Sequence, residues 1–182
     1  MTHTLVTFHA HPDDEAIATG GTMAKAAAKL AAILEQERAD VFTCYDDHGG
    51  YGHPDHIQVH RVGHEAARIA GTPKVYESTI NRDHLRRLME AAPDDLRPEG
   101  FDDEFLNEFG SPESLITATV EVAEFVEAKR RAMRAHASQI DESSFFLAMP
   151  DEIFAVTFGA EWYIGADGGS AQVEDDLFAG LA

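Results

Sequence analysis

The chain has 182 residues, of which 44% are hydrophobic and 26% charged, proportions typical of one soluble globular domain. Its 33 acidic residues against 14 lysines and arginines give a formal net charge of −19, which argues against a nucleic-acid partner, because phosphate binding needs a basic surface. We expect no membrane span, since no apolar run reaches about 18 residues. One cysteine and the lack of a basic, apolar leader predict a cytoplasmic protein.

Strands and helices alternate along the first half of the chain. Short runs rich in β-branched and apolar residues are followed by polar turns and then by amphipathic segments. Gly71 and Pro73 mark the end of one of these helices. In chain order the pattern predicts a strand at 5–9, a helix from residue 22, a strand at 41–45, a loop at 46–56, a helix at 57–70, a strand at 75–80 and a helix at 83–92.

The second half begins with an acidic stretch at 93–114 that proline and glycine interrupt, with one short helix near 102–109. The elements predicted after it are a strand at 115–120, a helix at 122–137, a helix at 150–158 and a strand at 162–164. This alternation predicts an α/β fold, a Rossmann-like three-layer sandwich with a mostly parallel sheet. We expect a single domain that spans residues 1–182.

Two polar segments directly follow predicted strands. HAHPDDE, residues 9–15, follows the first strand, and DDHGGYGHPDH, residues 46–56, follows the second. Ligands of such α/β folds bind beyond the carboxyl ends of the parallel strands. We therefore expect both segments to meet at that edge and to form the active site there.

The residue types in these segments are those that bind zinc. His11 and Asp14 are three residues apart in a strand-to-helix turn, where an imidazole nitrogen and a carboxylate oxygen can converge on one cation. The second segment offers a third ligand, from His48, His53 or His56. Three protein ligands leave one position for water, which is the arrangement of a catalytic zinc.

Spacing alone leaves two alternatives open. Asp13 or Asp14 can cap a helix and bind no metal, because carboxylates at a helix start accept hydrogen bonds from its free N–H groups. His56, His60 and His64 recur every four residues, so two of them on one helical face can form a zinc-binding pair.

A resemblance to a known family adds to this reading. AHPDDE at residues 10–15 and GHPDH at 52–56 closely resemble motifs of the LmbE-like, or PIG-L, family of zinc-dependent de-N-acetylases. The likeness extends through GGT at 20–22. RAHASQI at 134–140 is similar to a late segment of the actinobacterial members of the mycothiol-pathway branch.

The resemblance implies a role for each matched residue. The implied zinc ligands are His11, Asp14 and His56. Asp13 is the implied general base, His53 is implied to support the transition state, and Tyr51 is implied to stabilise the oxyanion. A protonated His53 suits this role on physical grounds, and the adjacent Asp55 can hold it cationic by Coulomb attraction. Fe²⁺ and Co²⁺ also suit a site of imidazole and carboxylate ligands.

The implied function is removal of an N-acyl group, most simply acetyl, from an amino sugar or its conjugate. The partner is then a small molecule, and a homo-oligomer is compatible with this function. Two alternatives are a mycothiol-conjugate-type amidase, which cuts a larger acyl group, and a non-catalytic module that binds metal and sugar.

The chain departs from the family pattern in one place. Only about twenty residues separate GGT from VFTCY, whereas the family usually has further strands there. Either the chain is a shortened member, or a segment is missing at a join between Ala26 and Ala32, and we favour the second account. It predicts a break in the backbone at that join, whereas one unbroken helix from about residue 22 to 38 contradicts it.

Overall fold

The computed structural model describes residues 14–91, 103–168 and 173–181, apart from the side chains of residues 14–20, 103, 104 and 145. The predicted strand at 5–9 lies outside the described residues. The helices are α1 (Asp14–Glu37), α2 (Gly49–Gly52), α3 (Pro54–Ala70), α4 (Arg82–Ala91), α5 (Asp103–Glu108), α6 (Val126–Ala135), α7 (Phe145–Ala148) and α8 (Asp151–Phe158). The strands are β1 (Val41–Tyr45), β2 (Lys74–Thr79), β3 (Ala118–Glu121) and β4 (Ala160–Gly165).

Most predicted elements are confirmed, and the deviations at their ends have local causes. The prediction for β1 is confirmed at both ends. Helix α3 begins before the predicted residue 57, because Pro54 takes the first helical position, where a missing N–H costs nothing. Helix α6 is shorter than the predicted 122–137, since a 3₁₀ turn at Ala123–Phe125 precedes it and it ends at Ala135.

The sheet of the described residues is mixed, with the strand order β1-β2-β4-β3. β1 and β2 pair in parallel, whereas β4 pairs antiparallel with both β2 and β3. Three strands therefore run in one direction, and β4 enters between two of them in the other. The prediction of a mostly parallel sheet is wrong, because α6, α7 and α8 together, and not one crossover helix, connect β3 to β4 and return the chain reversed.

Helices α1 and α3 pack against each other and against the strands β1 and β2. The buried residues at this contact are Ala27, Ala31, Leu34, Ala66 and Ala67, and Phe42, Val62 and Val75 pack around them. Alanines on both helices allow the two backbones to approach closely. Among the described residues, no helix combines the length and the apolar character that crossing a bilayer requires.

Helix α1 runs without interruption from Asp14 to Glu37. The backbone passes through residues 26–32 as a continuous helix, so no break marks the predicted join between Ala26 and Ala32. Ala27 and Ala31, one helical turn apart, are both buried against α3. Whether a segment is missing between α1 and β1 stays a prediction.

The packing sets the direction of both helices relative to the sheet. Val41 and Lys74, the first residues of β1 and β2, are paired, and the Lys74 N–H donates to the Asp40 carbonyl at 3.1 Å. Helices α1 and α3 thus end at one edge of the sheet and begin at the other, where β1 and β2 end. With 24 residues against 17, α1 extends about 10 Å further past that edge than α3.

Candidate functional site

A tight loop connects β1 to α3 at the carboxyl edge of the sheet. Gly49 and Gly50 adopt φ angles of 69° and 77°, which side chains with a Cβ rarely tolerate. A Cβ at Gly49 would lie 2.8 Å from the Cβ of His56. Glycine at this position therefore allows His56, in the first turn of α3, to lie directly against the loop.

A buried carboxylate fixes this loop to the sheet. The Asp46 side chain has no exposed surface, and its two oxygens accept hydrogen bonds from the Thr79 hydroxyl and the Gly50 N–H, each at 2.6 Å. The Asp46 carbonyl also accepts the Gly49 N–H at 3.0 Å. These bonds offset the cost of burying a carboxylate and hold the loop against β2.

The His56 ring is held by the loop and by two neighbouring rings. Its Nδ1 lies 3.2 Å from the Gly49 carbonyl, and a nitrogen that faces a carbonyl must carry the proton. The Nε2 atom is then the deprotonated nitrogen and can bind a metal. The ring lies between two others, Tyr45 at 4.0 Å and His53 at 4.5 Å between ring centroids.

His53 caps α3. Its Nδ1 accepts the Asp55 N–H at 3.2 Å, which satisfies one of the free donors at the helix start. With Nδ1 as the acceptor of this bond, Nε2 is the ring nitrogen that can donate. The contact between His53 and Asp55 is made through the backbone N–H of Asp55, and a protonated His53 supported by the Asp55 carboxylate stays a prediction.

Tyr51 lies beside both histidines and is half exposed. Its ring centroid is 5.3 Å from that of His56 and 5.8 Å from that of His53, in edge-to-face arrangements. On its other side it stacks on Phe109 at 6.3 Å. The structure therefore brings together the three residues of the second motif to which the resemblance gives a metal-binding or catalytic side chain.

A cavity of about 460 Å³ begins next to this cluster. Thr79, which bonds Asp46, and Phe109, which contacts Tyr51, both line it, with Asn81, His84 and Trp162 further along. Its volume falls in the range of small-molecule sites.

The residues of the first motif are described only in part. His11 and Asp13 lie outside the described residues, and Asp14 is described only as the first residue of α1. Because α1 and α3 start at the same edge of the sheet, Asp14 and His56 are on the same side of the molecule. Whether the three implied ligands meet at one cation stays a prediction.

A second group of potential metal ligands lies where α3 covers the sheet. Cys44, His60 and His64 each offer one donor atom, and these atoms all lie within 4.8 Å of one another. Glu77, the cross-strand partner of Cys44, has a carboxylate oxygen 2.9 Å from His64 Nε2. Burial, and then the negative charges of Glu77 and Asp46, raise the pKa of Cys44 to about 12.

Burial also affects the other members of this group. It raises the pKa of Glu77 and lowers that of His64, since in both cases it disfavours the charged form. The sequence indicates only half of this group, through the four-residue spacing of His60 and His64. Cys44 and Glu77 are 33 positions apart, and only the register of β1 and β2 makes them neighbours.

The fold and the loop define an α/β protein with a histidine-rich site at the carboxyl edge of its parallel strands. No protein-family model matches the chain. Curated relatives named 1D-myo-inositol 2-acetamido-2-deoxy-alpha-D-glucopyranoside deacetylase do match it, with 36% identity over 181 residues in Nocardioides sp. and 36% over 176 in Geodermatophilus obscurus. A relative from Catenulispora acidiphila, with the same name followed by the numeral 1, is 34% identical over 178 residues.

These three matches confirm the resemblance to the LmbE-like, or PIG-L, family, to which the named deacetylases belong. They cover 86–87% of the chain. The chain spans 55–60% of the length of these relatives.

Proposed function

We propose that this protein is a metal-dependent hydrolase that removes an N-acyl group, acetyl in the first instance, from an amino sugar or its conjugate. The observation that carries the proposal is the arrangement of His56, whose Nε2 is free to bind a metal while His53 and Tyr51 lie against the same ring. The names of the relatives favour one substrate, N-acetylglucosamine joined to inositol.

The proposed metal is Zn²⁺, held by His11, Asp14 and His56. The donor chemistry of His56 fits this role, because its Nδ1 is held by the Gly49 carbonyl in the manner typical of metal-binding histidines. When bound, zinc lowers the pKa of a water molecule toward about 7. Fe²⁺ and Co²⁺ suit the same donor set.

Asp13 is the proposed general base. It is adjacent in sequence to a proposed ligand and is not itself needed to hold the metal. Its carboxylate takes a proton from the attacking water and then passes that proton to the nitrogen of the leaving amine. Without this transfer the amine would have to leave as an anion, which is unfavourable at neutral pH.

His53 and Tyr51 are the proposed donors to the oxygen that becomes negative when water attacks the amide. The ring of His53 presents an Nε2–H, and the half-exposed Tyr51 presents a hydroxyl. Asp55 acts as a positioning residue, since its N–H fixes the orientation of the His53 ring. Donors that are already oriented need no rearrangement as the charge develops.

The cavity beside the loop is the proposed site for the rest of the substrate. About 460 Å³ accommodates a sugar with a polar substituent, and Asn81 and His84 offer polar atoms there. The partly buried indole of Trp162, which lines this cavity, suits the apolar face of a sugar ring. The acyl group then lies at the Tyr51 end and the conjugated group toward Trp162.

The proposal also includes three expectations, which concern the domain, the layer architecture and the cellular location. The single domain and the Rossmann-like three-layer sandwich are consistent with the layer of α1 and α3 on β1 and β2. A cytoplasmic location fits a small polar substrate and a lone, unpaired thiol at Cys44.

The test is release of primary amine from N-acetylglucosamine and from its inositol conjugate by the purified chain, with and without a chelator and after return of Zn²⁺. We expect activity that the chelator abolishes and zinc restores. Asp13→Asn is expected to lower kcat by about 10²–10⁴-fold, and His53→Gln by about 10²–10³-fold. Glu65→Gln, an exposed carboxylate on α3 paired with Arg68, is the matched control and keeps wild-type activity.

Each alternative gives a distinct result in the same assay. A conjugate-type amidase releases amine faster from larger acyl groups than from acetyl. A non-catalytic module binds zinc and the sugar but releases no amine. Activity that is unaffected by the chelator or by Asp13→Asn contradicts the proposal.

A further inference from the structure

We propose that Cys44, His60, His64 and Glu77 form a second, structural binding site for a divalent transition-metal cation of the Zn²⁺ class. The site shares no ligand with the proposed catalytic metal site. It rests on the geometry of β1, β2 and α3 alone, and it stands whether or not the protein is a hydrolase.

The four residues come from three elements that pack together. Cys44 and Glu77 are paired across the parallel strands β1 and β2, while His60 and His64 are one turn apart on α3. Gly63 makes the close approach possible, because a Cβ there would lie 3.2 Å from the Cβ of Cys44. The helix therefore brings both imidazoles down onto the paired cysteine and carboxylate.

The distances are close to those of a bound ion. Donor atoms of Cys44, His60 and His64 lie within 4.8 Å of one another, and Glu77 Oε1 lies 2.9 Å from His64 Nε2. Zinc bonds of 2.0–2.3 Å in a tetrahedron separate ligands by about 3.3–3.8 Å. A contraction of about 1 Å among the donors of Cys44, His60 and His64, together with a rotation of the Glu77 side chain toward them, completes the site.

One nitrogen of the group lacks the hydrogen bond that its burial requires. His64 Nε2 is shielded from solvent and makes no hydrogen bond, although Glu77 Oε1 is only 2.9 Å away, because proximity without a suitable angle gives no bond. A cation between the two atoms would bind both. His60 donates Nδ1–H to the Tyr45 carbonyl at 3.0 Å, which leaves its Nε2 deprotonated and available as a ligand.

The donor set indicates both the cation and the role. One thiolate, two imidazoles and one carboxylate are ligands of zinc and of its cobalt substitute, whereas magnesium and calcium prefer oxygen alone. Four protein ligands leave no position for water, so the site is structural. A cation there ties α3 to both strands and, through Tyr45, supports the ring that stacks on His56.

Cobalt binding provides a specific test, because a thiolate ligand gives Co²⁺ a near-ultraviolet charge-transfer absorption and Cys44 is the only cysteine. We expect this absorption in the wild-type chain, and its replacement on addition of Zn²⁺. Loss of a group that merely supports a ligand already costs about 10–100-fold in metal affinity. Cys44→Ser is therefore expected to remove the absorption and to weaken Co²⁺ binding at this site by about 100-fold or more.

Control variants distinguish the Cys44 site from the proposed catalytic metal site. His56→Ala, which removes a proposed catalytic ligand, keeps the charge-transfer absorption, as does the exposed His136→Gln. His60→Gln and His64→Gln lose most of it and carry the test independently if Cys44→Ser does not fold by circular dichroism. Absence of the absorption in the wild type, or its survival in both histidine variants, overturns the proposal.

Discussion

The ring of Tyr45 lies flat on the ring of His56, with 4.0 Å between their centroids and 2° between their planes. Tyr45 is the last residue of β1, so this contact joins the end of a strand to the first turn of α3. Its carbonyl also accepts a hydrogen bond from His60. One residue thus connects the histidine of the proposed catalytic site with the group formed by Cys44, His60 and His64.

Replacement of Tyr45 tests whether this stacking orients His56. Tyr45→Leu removes the aromatic face, and we expect zinc affinity and kcat to fall about tenfold, the lower end of the range for groups that support a metal ligand. Tyr45→Phe keeps the ring and is expected to stay within about twofold of the wild type. Isothermal titration with zinc and the amine-release assay measure both effects. Equal behaviour of the two variants would show that the ring has no orienting role.

The Asp46 carboxylate is expected to contribute strongly to the stability of the fold. Asp46→Asn replaces an acceptor with an amide that must face either the Thr79 hydroxyl or the Gly50 N–H, so one buried donor loses its partner. We expect the free energy of unfolding to fall by about 2–3 kcal/mol. Asp47→Asn, whose side chain is 81% exposed, is the matched control, with a change within about 0.5 kcal/mol. Urea unfolding of both variants measures these changes in the free energy of unfolding.

The elements could be predicted from the sequence wherever local chemistry determines them. Strand β1 is a five-residue run of mostly apolar residues between polar neighbours, and α3 ends at Ala70, where Gly71 follows in the left-handed conformation that favours glycine. The position of β4 could not be predicted in this way. Its direction follows from how α6, α7 and α8 return the chain, which is a matter of tertiary packing.

The candidate site likewise contains some residues that the sequence indicates and others that it does not. Tyr51, His53 and His56 belong to one short stretch of sequence, and the structure brings their rings together. Glu77 carries no comparable local signal, because its place opposite Cys44 depends on the pairing of two strands. Contacts between distant segments need the register of the sheet, which a single sequence does not supply.

The C-terminal segment is predicted to stabilise the sheet in a pH-dependent way. The Tyr76 hydroxyl donates to Glu174, and Lys74 Nζ lies 3.0 Å from the same carboxylate, so these hydrogen bonds lower the pKa of Glu174. A carboxyl whose pKa is lowered by folding stabilises the fold above its unfolded pKa. That contribution disappears as the pH falls through the lowered value.

We therefore expect Glu174→Gln to cost about 0.5 kcal/mol at pH 7, a modest value because the pair is partly exposed to solvent. The difference from the wild type should shrink below about pH 4.3, the ordinary pKa of glutamate. Glu127→Gln, an exposed residue of α6, is the control. Unfolding midpoints in urea at pH 7, 5 and 3 give the comparison. A difference between Glu174→Gln and wild type that is constant across these pH values would contradict the predicted role.

Gly49 and Gly50 provide the sharpest test of how the loop positions His56. Both have positive φ angles, so alanine at either position is strained and is expected to cost about 1–2 kcal/mol of stability. The surroundings differ, since a Cβ at Gly49 would lie 2.8 Å from His56 Cβ, whereas nothing lies within 4 Å of a Cβ at Gly50. Gly49→Ala must displace His56 or the loop carbonyl that holds its Nδ1, so we expect zinc affinity and kcat to fall at least about tenfold. Gly50→Ala should lower the stability in urea but keep the wild-type zinc affinity and kcat. If both variants keep the wild-type kcat, the close contact between Gly49 and His56 does not position the proposed ligand. The proposal that the Gly49 carbonyl, by holding Nδ1, leaves Nε2 for the metal would then be wrong.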